Sequence, residues 1–138
     1  MPCEPSWAAR RALVVFGGQA DLIWLNMLKH GYRHCFAVIE SGRGVWVIYN
    51  PLSHCTEIAT VAGPDGPALA GHYRKLGFRV VETRINRPPK CPAPWRFYTC
   101  VEAVKRLLGL RAGGVFTPWQ LYKYLQLSNK SLTKGFLS

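Results

Sequence analysis

The sequence predicts an α+β fold, an antiparallel sheet of about four strands with four helices against it. Three observations carry this expectation. Short runs rich in β-branched and aromatic residues recur, each closed by Gly, Pro, Asn or Asp. Between and after them, apolar spacing shifts to a helical period. No internal repeat or low-complexity segment interrupts the pattern.

The elements follow in order. Ala12 to Phe16 is a β-rich run closed by Gly17-Gly18, and Ala20 to Lys29 is a short apolar helix ended at Gly31. Tyr32 to Ile39 and Val45 to Tyr49 are strands joined by the turn residues Ser41-Gly42-Arg43-Gly44, the clearest hairpin in the chain. Pro51 stops the second strand, and Thr56 to Val61 adds another before Gly63-Pro64-Asp65-Gly66. Pro67 to Leu76 is a helix with proline in its first turn and Gly77 past its end. Phe78 to Ile85 alternates as a strand, and a proline-rich loop follows. Cys100 to Leu110 and Pro118 to Leu127 are the last two helices. With 138 residues, 49% of them hydrophobic, the chain suits a single domain over 1–138: an arm at 1–11, a core at 12–127 and a polar tail at 128–138.

Composition removes several function classes. The longest apolar runs fall far short of the roughly 20 residues of a spanning helix, so no membrane span is expected. The N-terminus lacks a secretory pattern, which favours a start that is not secreted through a signal peptide. Cys3, Cys35, Cys55, Cys91 and Cys100 are odd in number and lack CxxC spacing, against a disulfide framework or a zinc ribbon. The pairs His34-Cys35 and His54-Cys55 would point to opposite faces of a strand, so no metal is expected, nor is any organic cofactor. Eighteen Lys and Arg against seven Asp and Glu give a net charge of +11. That charge permits nonspecific contact with nucleic acid or an acidic protein, with local concentrations at Arg10-Arg11, Arg74 to Arg96 and Lys105-Arg106.

One cysteine has an activating position. Thr99-Cys100-Val101-Glu102 reads as a capping box, with the Thr99 hydroxyl accepting from the Glu102 N–H and the Glu102 carboxylate reaching back to the Thr99 N–H. Thr117-Pro118-Trp119-Gln120 has the same form. Cys100 then opens a helix, where unpaired N–H groups and the macrodipole favour a thiolate and can hold an oxyanion. Among the histidines, His34 alone opens a strong strand and shares a face with Phe36 and Val38. Its ring is expected at the sheet edge, within reach of a helix start. Hairpin pairing that closes symmetrically on Gly42 sets Asn50 across from His34, and a register one residue longer leaves Asn50 diagonal. Asn50 is therefore the candidate orienter of the imidazole, with His54 and Glu57 as substitutes. Tyr98 and Gln19 are oxyanion-donor candidates that also read as packing or turn chemistry. The tryptophans Trp7, Trp24, Trp46, Trp95 and Trp119 read as core or interface aromatics, with Trp95 best placed to wall a cleft.

A histidine on a strand, a polar orienter on the next strand and a later cysteine at a helix start resemble the circularly permuted NlpC-type branch of the papain-like thiol hydrolases. The stretches GYRHCFAVIESGRGVWVIYNP and WRFYTCVEAVKRLLGL carry the resemblance, over roughly residues 30 to 112. It implies a permuted papain-like domain with Cys100 as nucleophile, His34 as base and Asn50 as orienter, acting on an amide bond such as that of a cell-wall peptide. The whole chain also resembles small proteins encoded beside virion and tail genes in phages and prophages of proteobacteria. That likeness implies a place in the virion or the host cytoplasm, with neighbouring virion or tail proteins as partners. It fits either a tail-borne hydrolase or a noncatalytic assembly protein that keeps the fold.

Overall fold

The computed structural model describes residues 10–18, 32–42, 44–52, 54–63, 65–86 and 99–136. Within them the elements are β1 (Arg11–Gly17), β2 (His34–Gly42), β3 (Val45–Pro51), β4 (Thr56–Ala62), α1 (Gly66–Lys75), β5 (Arg79–Arg84), α2 (Cys100–Leu107) and α3 (Pro118–Phe136). The chain is α+β. Its sheet has five strands rather than about four, in the order β4-β3-β2-β1-β5, and every neighbouring pair is antiparallel. Each of the five falls on a run read as a strand in the sequence; β5 takes the edge of β1 that β2 leaves free, while β4 extends the other side through β3. Three helices are described. The helix expected at 20–29 and the proline-rich stretch at 87–96 lie outside the described residues, as do Cys3, Cys91, His30, Trp7 and Trp24.

Strand alternation divides the core in two. Ala12, Val14, Phe16, Cys35, Ala37 and Val81 face one way and pack under α2 and α3 through Val101, Val104, Leu108, Leu121 and Leu125. Leu13, Val15, Phe36, Val38 and Val80 face the other way and, with the fully buried Trp46, meet Leu69 and Ala70 of α1. β1 is thus covered on both sides, the physical reason its sequence is an unbroken apolar run. β4 is an exposed edge strand. No described helix is long and apolar enough to cross a membrane.

The β2–β3 hairpin differs from both expected registers. Ala37 pairs with Tyr49 and Val38 with Ile48, two residues longer than closure on Gly42 would give. A register irregularity between Glu40 and Gly42 and positive φ at Gly42 (138°) and Gly44 (76°) make the turn, conformations that L side chains rarely adopt. At the other end of β1, Gly17 abuts Phe78: a Cβ there would lie 2.7 Å from the ring.

α3 does not stop at Leu127. It runs on through the stretch read as a polar tail to Phe136, and Asn129 Nδ2 donates to the Glu82 carbonyl at 2.8 Å. Its start carries the full reciprocal cap: Gln120 N–H donates to Thr117 Oγ1 at 3.2 Å and Thr117 N–H to Gln120 Oε1 at 3.1 Å. The α2 cap is half of what the sequence suggests. Glu102 N–H donates to Thr99 Oγ1 at 3.3 Å, but the Glu102 carboxylate turns to Lys105 and Arg106.

Candidate active site

The first residue of β2 and the first residue of α2 meet at one end of the sheet. α2 packs across β2, and its amphipathic face puts Cys100 against the core layer that contains Cys35. His34 precedes Cys35 on the strand and stands on the opposite face, with its ring 6.5 Å from that of Phe36. It also lies near enough to the Cys100 sulfur to lower its thiol through hydrogen bonding and charge. The pKa of the Cys100 thiol is lowered from the ordinary thiol range to about 5. The largest cause is a hydrogen bond from the Cys35 side chain. Burial opposes the shift, and the bond to His34, the Cys35 backbone N–H and the charge of His34 add to it.

Cys35 behaves as the complement. It is wholly buried, and burial first, then its bond to Cys100, raise its thiol well above the ordinary range. A thiol that keeps its proton beside one that gives it up is a donor to a thiolate. Cys35 was legible only as a strand cysteine. The signal for its role is its adjacency to His34: alternation turns it toward the helix layer from which Cys100 approaches.

Asn50 lies diagonal to His34 in the observed register, and the two side chains still meet, with His34 Nε2 2.6 Å from Asn50 Oδ1. Asn50 Nδ2 donates to Glu57 Oε2 at 3.2 Å. A carboxylate can only accept, so the amide nitrogen belongs on the Glu57 side and the amide oxygen on the His34 side. Oδ1 in turn can only accept, so Nε2 carries a proton and Nδ1 is the ring nitrogen left for the Cys100 sulfur.

The α2 start also supplies donors. Ala103 N–H bonds the Thr99 carbonyl at 2.9 Å and Glu102 N–H the Thr99 hydroxyl, which leaves the N–H groups of Cys100 and Val101 without a helical acceptor. They belong to the first turn of the helix that Cys100 opens, where N–H groups can donate to an oxyanion. An aromatic cluster of Phe16, Tyr32, Trp119 and Tyr122 braces this end of the molecule, with Tyr32 and Trp119 centroids 4.7 Å apart. Tyr98, Gln19 and Trp95 lie outside the described residues. His54 is exposed and has no place in the cluster of Cys100, His34 and Asn50, whereas Glu57 joins it through Asn50. A cavity of about 440 Å³ lies elsewhere, between Arg11, Trp46, Arg84 and Leu132. Among the described residues no group of three or more His, Cys, Asp or Glu side chains could hold a metal ion. Compared with family models, curated proteins and solved structures, the chain matches none of them.

Proposed function

We propose that the protein is a cysteine-dependent hydrolase of amide bonds, with Cys100 as nucleophile, His34 as general base and Asn50 as the residue that positions the imidazole. The observation that carries this reading is the convergence of Cys100, first residue of α2, with His34, whose Nε2 is held 2.6 Å from the Asn50 amide oxygen; that neighbourhood lowers the Cys100 thiol to about 5. His34 Nδ1 takes the Cys100 proton, and the thiolate attacks the substrate carbonyl carbon. The N–H groups of Cys100 and Val101 hold the resulting oxyanion. The imidazolium returns the proton to the leaving amine, and water, deprotonated by His34, cleaves the thioester. An acyl transferase would use the same groups with another acceptor in place of water.

The order of the groups, histidine strand before cysteine helix, supports the resemblance to the permuted NlpC-type branch. With it come a peptide of the cell wall as substrate class and a virion or tail as setting. A second reading, a virion assembly protein that retains the fold without activity, is favoured by the exposed apolar residues Ile58, Leu127 and Leu132 on a strongly basic chain.

Labelling with iodoacetamide across pH separates the two. The hydrolase reading expects Cys100 to be modified at about pH 6, where an ordinary thiol near 8.5 is almost wholly protonated, and His34→Ala to slow that modification. Cys100→Ala should lower turnover of a peptide amide by about three orders of magnitude or more. A Cys100 no more reactive at that pH than a free thiol, or one indifferent to His34→Ala, leaves the assembly reading standing.

A further inference from the structure

We infer that Glu57 is a positioning residue for His34, acting through Asn50: it decides which end of the Asn50 amide the imidazole meets. The inference rests on the proposed roles of Cys100 and His34 and adds a residue to them. Three adjacent strands build the arrangement. His34 opens β2, Asn50 is on β3, and Glu57 is on β4, where it is the direct cross-strand partner of Asn50. Direct partners in an antiparallel pair hold their Cβ atoms about 5 Å apart, so the register itself brings the carboxylate to the amide. Asn50 then bridges, with Nδ2 3.2 Å from Glu57 Oε2 and Oδ1 2.6 Å from His34 Nε2.

Polarity is what Glu57 contributes. An asparagine amide carries a donor and an acceptor at nearly identical positions, and a half-turn about its last torsion exchanges them. With Nδ2 committed to a carboxylate, Oδ1 faces Nε2 and requires a proton there. That tautomer has its basic nitrogen toward Cys100, and it keeps the Asn50 bond when the ring becomes imidazolium. The flipped amide would press an N–H against Nε2 and stabilise the opposite tautomer, whose Nδ1 already bears a proton and cannot take the one on sulfur. A base held in the wrong tautomer loses most of its function.

The test compares four full-length proteins: wild type, Glu57→Gln, Glu57→Ala and Glu57→Lys. Iodoacetamide is the probe, Cys100 modification is quantified by mass spectrometry across pH, and thermal unfolding is recorded alongside. Glutamine retains an acceptor and should stay within about twofold of wild type. Alanine removes it and should slow modification below neutral pH about three- to tenfold, the worth of one hydrogen bond, with the midpoint of the pH profile moved upward. Lysine offers a donor and turns the amide round, so its loss should exceed that of alanine. Glutamine and lysine are of similar length at an exposed edge position, so their order reads acceptor against donor independently of strand stability. Equal losses in Glu57→Gln and Glu57→Ala would mean that charge alone acts, which overturns the inference. So would a wild-type profile in Glu57→Ala when His34→Ala slows modification. A Cys100 indifferent to His34→Ala overturns the catalytic reading and this inference together.

Discussion

At the scale of single residues, the candidate site sets two thiols side by side whose pKa values are shifted in opposite directions. Burial, and then the neighbouring Cys100, push the Cys35 thiol up, while the Cys35 side chain is the largest influence drawing the Cys100 thiol down. Cys35→Ala should therefore move the Cys100 labelling midpoint upward from about 5 by roughly one to two pH units, while Cys35→Ser, which keeps a donor, should restore part of the difference. The sign is fixed by the direction of each shift: a lowered thiol is reactive below its ordinary range, and a raised one remains protonated and unlabelled through neutrality. Mass spectrometry after brief alkylation at neutral pH should find the adduct on Cys100 and none on Cys35; an adduct on Cys35 at equal rate would contradict the assignment. His34, Asn50 and Cys100 stand out in the sequence because each opens or closes an element. Cys35 does not, since a mid-pattern cysteine in a strand is indistinguishable from any small core residue.

At the scale of the element, α2 is anchored by a buried charge cluster. Lys105, only 3% exposed, donates to Glu102 Oε2 at 3.3 Å and to the Val115 carbonyl at 3.1 Å, and Arg106 Nε meets Glu102 Oε1 at 3.1 Å. The lysine thereby ties the helix that presents Cys100 to the segment leading into α3. Lys105→Ala removes a partner from a buried carboxylate and leaves a buried carbonyl unpaired. It should cost about 2 to 4 kcal/mol in chemical denaturation. Burial of Glu102 disfavours its charge, but the bonds and charges of Arg106 and Lys105 outweigh that and hold its carboxyl below the ordinary range. A lowered carboxyl contributes stability that is complete above its unfolded value of about 4.3 and is lost as pH falls through the lower folded value. Denaturation midpoints of wild type and Glu102→Gln should accordingly converge in acid and separate toward neutrality. Sequence spacing alone suggests that Glu102 serves the Thr99 cap. Two cations within one helical turn, at i+3 and i+4, compete better for a carboxylate than one backbone N–H does.

At the scale of the whole molecule, the net charge of +11 already discounts the carboxylates that pair with cations, so internal contacts fix where basic side chains sit and not how large the excess is. Arg11 is paired with Glu40 at 2.9 Å, Arg10 donates to the carbonyls of Glu40 and Ser41, and Lys105 and Arg106 share Glu102. Two of the three basic concentrations evident in the sequence are thus engaged within the fold. The undiminished net positive charge should retain the protein on heparin at low ionic strength, with release as salt shortens the Debye length below about 8 Å. Retention that survives high salt would instead indicate a specific surface. Cys100 alkylation, which depends on partly buried groups in direct contact, should change little over the same salt range.

Local chemistry determined the element types and the candidate pair. Strand runs, proline and glycine stops and the Thr99 cap are short-range signals, and they sufficed to put His34 at a strand start and Cys100 at a helix start. Tertiary structure decided what those signals leave open. The order of the strands depended on which edge β5 would join, and the hairpin register on an irregularity between Glu40 and Gly42. The bond from Cys35 to Cys100 and the cross-strand pairing of Asn50 with Glu57 likewise join residues that no local pattern connects. Backbone propensity acts over a few residues, whereas the packing of a helix across a strand, which brings Cys100 against Cys35 and His34 and lowers its thiol, exists only once the chain has folded.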